Sequence, residues 1–192
     1  MTGKVEIVNI ALARIGESPI QSFEEGSVPA NTARLVYDAA RRSTLRDYNW
    51  NFALATATLA RYEEAPDDFP FAFALPSDCL RVIRLRCAGV PDFRNAPKIP
   101  FVLRGGRLLA NEPKVLLEYL RDVTDENEFD SKFIEALSYK LASELAMPVK
   151  GSAELMASYS NAYQTLVNRA ATESAWEEAD RRPVNPYLDA RY

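Results

Sequence analysis

Apolar positions change their spacing twice along this chain. Val5, Val8, Leu12 and Ile15 recur every three to four residues and predict a first helix over 3–15, capped by Thr2 and stopped by Gly16. After a loop carrying Pro19, Gly26 and Ser27, Pro29 suits the first turn of a second helix, predicted over 29–52, with Ala33, Val36, Tyr37, Ala40 and Thr44 along one side. From Ala53 the helical period is lost. Residues 53–60 fit a helix end or a strand, 63–70 an acidic loop and 71–75 an extended segment. Further strands are predicted at 80–86, 101–104, 107–110 and 114–120, with Gly105-Gly106 as a two-residue hairpin turn. Helical spacing returns over 131–147 at Ile134, Leu137, Leu141 and Leu145, and Pro148 and Gly151 end it. Ser152 then caps a last helix over 152–172, with Leu155, Tyr159, Ala162, Leu166 and Ala170 at helical spacing, so these two form an αα-hairpin.

This order predicts a mainly α protein: a helical bundle with a small inserted β subdomain over about 53–122, residues 1–180 as one domain, and 181–192 as an extended C-terminal arm. Val8, Leu12, Trp50, Leu137, Leu141, Leu155 and Leu166 are expected to share the core. Pro183 and Pro186 exclude a continuous helix in the arm, where Arg181, Arg182, Tyr187 and Tyr192 are residue types that favour binding surfaces.

Of 192 residues, 47% are hydrophobic and 10% aromatic, enough to bury a real core. Charges interrupt every apolar run well before the ~20 residues a membrane span needs, and Met1-Thr2-Gly3-Lys4 opens no export signal, so a soluble protein made in a cytoplasm is expected. Histidine is absent and Cys79 and Cys87 are the only cysteines. That removes a zinc ligand set and every imidazole-based nucleophile pair or proton shuttle, and leaves two free thiols.

Remaining candidates for chemistry fare no better. The acidic run Asp122, Asp125, Glu126, Glu128 and Asp130 lacks the central glycine of a calcium loop and fits the N-terminus of a helix. Gly105-Gly106 lacks the Lys-Ser/Thr of a phosphate loop, so no cofactor is implied. A pair of carboxylates for glycan hydrolysis, as in a cell-wall-opening enzyme, is one alternative, although nothing singles out a pair among 27 acidic residues. A DNA-binding accessory protein is another, with Arg34, Arg41, Arg42 and Arg46 on phosphate and Trp50 and Phe52 stacked on bases. Against it, Asp38 lies four residues from both Arg34 and Arg42, which suits a self-paired solvated face, and bulky aromatics at a helix end suit core anchors.

The net charge is −4, unevenly spread. Residues 81–121 hold nine basic and three acidic side chains, a local +6, against −10 elsewhere. Opposed charge blocks suit a molecule that meets copies of itself or partners through complementary faces, and Arg81, Arg84, Arg104 and Arg107 are candidate contacts alongside the arm.

Four segments carry a likeness. They are Ala11-Leu12-Ala13-Arg14-Ile15-Gly16-Glu17-Ser18-Pro19-Ile20, Trp50-Asn51-Phe52-Ala53, Leu75-Pro76-Ser77-Asp78-Cys79-Leu80-Arg81-Val82, and Tyr119-Leu120-Arg121-Asp122-Val123-Thr124-Asp125 before Ala136 and Leu141-Ala142. In this order the chain resembles the tail tubular protein A family, the head-to-tail adaptor or gatekeeper proteins of tailed bacteriophages. The resemblance implies a non-enzymatic virion protein at the head–tail junction, a subunit of a dodecameric ring. Such a ring docks on the portal protein, presents its other face to the tail nozzle or next tail component, and lets viral DNA pass without specific binding. It also implies a helical bundle with a small β portion and an extended C-terminal segment.

Overall fold

The structure, a computed structural model, describes residues 3–66, 68–87 and 98–180, with side chains as far as 172. Among them are four α-helices, α1 (Lys4–Arg14), α2 (Val28–Asp47), α3 (Ser131–Lys150) and α4 (Ala153–Asp180). Six strands lie between α2 and α3: β1 (Leu54–Thr58), β2 (Phe71–Ala74), β3 (Cys79–Cys87), β4 (Phe101–Arg104), β5 (Arg107–Ala110) and β6 (Val115–Arg121). Nearly half of the described residues are helical and about a fifth are in strands, so the mainly α expectation is corrected: this is a mixed α/β protein with two sheets. The arm at 181–192 lies outside the described residues.

The chain divides into two compact units. One holds residues 1–4 and 38–134; the other joins 5–37 to 135–192. In the first, two three-stranded antiparallel sheets, ordered β1-β6-β3 and β2-β5-β4, face each other. Alternate residues from both meet in a single apolar layer: Val115, Leu117 and Tyr119 of β6, Leu85 of β3, Phe73 of β2, and Leu108 and Ala110 of β5, with Leu59 and Ile99. The chain also turns the corners between sheets. Leu59 N–H donates to Val115 O in one sheet, while Tyr62 N–H donates to Ala72 O and Ala74 N–H to Ala60 O in the other. On the far side Ile99 N–H donates to Leu85 O just before β4 begins. The sandwich therefore approaches a closed barrel, which shields edges that would otherwise pair with foreign strands.

The strands themselves lie where extended segments were expected, within 53–122; what changes the fold class is that they close into two sheets with an apolar core of their own. Gly105 and Gly106, at φ 58° and 74°, make the predicted β4–β5 turn, a conformation with positive φ at both positions that side-chain-bearing residues rarely adopt.

In the second unit Ile7, Val8, Leu12, Leu137, Leu141 and Leu145 are fully buried. Gly16 ends α1 with φ 69°, Glu17 N–H reaching back to Leu12 O and Gly16 N–H to Ala13 O. Lys150 ties the same turn to α3 through Glu17 at 2.8 Å and Gly16 O at 2.8 Å. Pro148 lies inside the last turn of α3, which ends at Lys150, three residues beyond the expected 147. On α4 the buried residues are Tyr163, Val167 and Ala170, with Leu155 and Leu166 half-buried at the margin of that stripe. Trp50 belongs to the other unit, where it packs on Tyr48 and Phe133.

Candidate assembly interface

Around the sandwich unit three of the four family-bearing segments turn out to be fastenings. Trp50 and Phe52, on the short turn that leads into β1, join Tyr48, Phe129 and Phe133 in a run of edge-to-face rings with centroids 4.7–5.7 Å apart. Trp50 is 2% exposed and its indole N–H donates to Thr44 O at 2.8 Å. Trp50 is a core anchor, buried away from any base, and Phe52 is half-buried in the same cluster. Each such ring pair is worth roughly 0.5–1.5 kcal/mol beyond the area it buries.

The Leu75-Pro76-Ser77-Asp78-Cys79 stretch is a turn closed by Cys79 N–H to Pro76 O at 3.0 Å. Asp78 then works twice: its carboxylate accepts the Tyr119 hydroxyl at 3.2 Å and its carbonyl accepts Asp122 N–H at 2.7 Å. Burial, then the nearby Asp78 charge, pushes the Tyr119 phenol above its ordinary pKa, and the same two causes raise the Cys79 thiol. Cys79 and Cys87 are free, half-buried and packed against the sandwich core.

Asp122 holds the arginines of α2. Arg41, 3% exposed, donates to the Asp122 carboxylate and to Val123 O, and Arg42 reaches the other carboxylate oxygen at 2.9 Å. Arg46 donates to Leu80 O at 2.8 Å. The expected self-paired solvated face is thereby corrected: Asp38 pairs with Arg41, at 3.5 Å, rather than with the expected Arg34 or Arg42, and the closer partners come from just after β6 and from β3. The acidic run is likewise spent locally, since Asp125 accepts Asn127 N–H at 3.0 Å and Asp130 caps α3 through Phe133 N–H at 2.6 Å.

The Arg-rich block is folded against acids drawn largely from outside its dense middle. Two irregularities in the β3–β6 register, at Cys79/Arg81 and Val82/Arg84, change which residues share a face, and Arg84 pairs directly opposite Glu118. Arg84 grips Glu118 with two bonds at 2.8 and 3.2 Å, and Arg86 shares it at 3.1 Å. Arg81 donates to Asn49, and Arg121 pairs with Glu128. Arg104 and Arg107 flank the β4–β5 turn. Arg104 pairs with Asp68 at 2.9 Å, and Arg107 lies over the Tyr62 ring at 4.4 Å. Beside them Tyr62, Val102 and Leu103 are 38%, 38% and 51% exposed. Arginine, tyrosine and exposed aliphatics together form the composition of a protein-docking rim. Sequence reasoning found the two arginines and missed the apolar members, although two adjacent aliphatics in a four-residue strand must place one outward. Arg181, Arg182, Tyr187 and Tyr192 lie outside the described residues.

The sequence profile of the tail tubular protein family matches residues 5–114, more than half of the chain. The chain belongs to the tail tubular protein family. The matched stretch contains α1, α2 and all of the sandwich but β6, so three of the four family-bearing segments fall inside it. No curated protein matches the chain. Membership makes it a structural tail protein of a bacteriophage, located in the virion and in contact with other virion components. Among the described residues no helix is long and apolar enough to cross a membrane, and no group of acids or thiols is arranged to hold a metal.

Proposed function

We propose that this tail tubular protein is a subunit of a ring-shaped head-to-tail adaptor, dodecameric, that docks on the portal protein, meets the tail nozzle or next tail component below, and surrounds the path of the DNA. Its contacts would be the arm residues Arg181, Arg182, Tyr187 and Tyr192 and the sandwich residues Arg81, Arg84, Arg104 and Arg107.

Support beyond family membership comes from one observation of charge. Residues of the sandwich unit number fifteen basic and fifteen acidic, so the Arg-rich block is neutralised within its own unit. The whole net charge of −4 is left to the helical unit. A ring wall of this kind does not grip a duplex, because adhesion to DNA needs unpaired Lys and Arg that release counterions from phosphate. It performs no chemistry; its work is to fit between partners.

Electron microscopy of the purified protein, alone and mixed with portal, tests the reading. Rings seated on portal are expected, together with duplex affinity too weak to measure at physiological salt. A chain that stays monomeric beside portal, or one that binds duplex DNA tightly with a steep salt dependence, overturns it.

A further inference from the structure

The helical unit breaks its own pattern on α2. Ala30, Ala33 and Tyr37 bury one side of that helix, yet Val28 and Leu35, seven residues apart and therefore on one face, are 61% and 79% exposed. No other large aliphatic side chain among the described residues is as open as Leu35. Thr32 completes the stripe between them, its hydroxyl turned back onto Val28 O at 2.8 Å. Among the described residues nothing covers this face.

Charge says what kind of cover fits. Residues 5–37 and 135–180 carry five basic and eleven acidic side chains. Two of the acids, Glu24 and Glu25, stand just before the stripe in a loop pinned to α2 by Asn31, whose amide donates to Gly26 O at 3.1 Å. Hydrogen bonds from Ser27 and the Gln21 N–H hold the Glu25 carboxyl below its ordinary pKa, so it is charged at neutral pH. The complementary piece is basic with apolar anchors. Residues 181–192 have three arginines against one acid, and among them stand Val184, Tyr187 and Leu188. Twelve residues reach about 40 Å when extended, enough to leave one subunit for the next.

We infer that residues 181–192 of one copy dock on the Val28–Thr32–Leu35 stripe of a second copy, with arginines toward Glu24 and Glu25. This rests on the ring reading above. It makes the arm a link between subunits, in which an extended segment restrained by two prolines loses little entropy on binding.

The test places a photo-crosslinking phenylalanine analogue at position 35 of the full chain, mixes isotope-labelled with unlabelled chains, assembles them with portal, and maps adducts by mass spectrometry. Expected is an adduct between position 35 and a peptide within 181–192, with the two labels mixed. Adducts confined to one label, adducts to portal, or adducts to another segment of this chain overturn the inference while leaving rings on the grid and the adaptor reading intact. Absence of rings overturns both. As a second measurement, Leu35→Asp should leave the circular dichroism and melting of the free chain unchanged and weaken ring assembly roughly tenfold or more. Unchanged assembly by that variant also overturns the inference.

Discussion

The sandwich unit and the helical unit solve the same problem with opposite surfaces. Both bury a continuous apolar core. Around the sandwich, however, acids and bases balance and interlock: Asp122 with Arg41 and Arg42, Glu118 with Arg84 and Arg86, Glu128 with Arg121, Asp68 with Arg104. The helical unit keeps an excess of acids and leaves Val28, Leu35, Met147 and Met156 exposed. A virion subunit needs both a part that keeps its shape and a part that receives neighbours. Arginines paired inside the unit, such as Arg84 and Arg86 on Glu118, brace the sandwich whatever they meet outside it.

If two separate cores hold the units, truncating either should be costly for its own reason. Trp50→Ala removes the hub of the ring cluster and an indole hydrogen bond, and should destabilise by about 3–5 kcal/mol. Leu141→Ala, at a fully buried position in the helical unit, should cost about 2–5 kcal/mol. Denaturant titration followed by circular dichroism checks both variants, and in the unsubstituted protein tryptophan fluorescence supplies the second signal. Transitions that separate in the two signals would show that the units unfold independently, and a small effect of either substitution would remove that core from the account.

Next in size is the arginine clamp. Asp122→Ala leaves Arg41 buried with only Val123 O and the longer contact to Asp38, and removing one partner of a buried pair is costly; about 3 kcal/mol is expected. Pairing it with Arg41→Met in a double-mutant cycle should recover much of that loss, since the stranded charge goes too. No recovery would mean that Asp122 stabilises through its backbone or through Arg42 instead.

These clamps explain what was legible in the sequence. Gly16 stops α1, Ser152 caps α4 and Gly105-Gly106 makes the β4–β5 turn as expected, but α2 ends at Asp47, short of the expected 52, and α4 runs to Asp180, past the expected 172. The acids near arginines in sequence did not identify their partners, because Arg41 and Asp122 are 81 residues apart and meet only through tertiary packing. The fold class was misjudged for a related reason. Short strands such as 71–74 and 101–104 gain their stability from closure across corners, and closure leaves no local periodic signal. The hairpin rim was half visible, as arginines beside a glycine pair, and its tyrosine came from a loop that only the bridge to β2 brings close.

A smaller effect probes the Asp78–Tyr119 latch. With the phenol raised above its ordinary value, folded and unfolded chains are equally protonated below about pH 10, where the contribution is fully present. Above that the unfolded chain ionises first, so stability should fall as pH rises until the folded phenol also titrates. Tyr119→Phe should cost about 1 kcal/mol at neutral pH and flatten the alkaline slope of the melting temperature. An unchanged slope would assign alkaline unfolding to other groups.

The smallest effect on stability is expected at the β4–β5 rim, and its size is the point. Arg104 has a side chain 57% exposed and an equally open partner in Asp68, a pair of the kind that contributes little, and Arg107 only rests on an exposed tyrosine. Arg104→Ala with Arg107→Ala should therefore change unfolding free energy by no more than about 0.5–1 kcal/mol. If this rim meets a neighbour or another virion component, the same double substitution should reduce assembly while the free chain melts as before, and raising salt should mimic it in the unsubstituted protein. Assembly that survives both changes would leave the sandwich with no receiving surface at this end and place the whole of recognition on the acidic, apolar-studded helices.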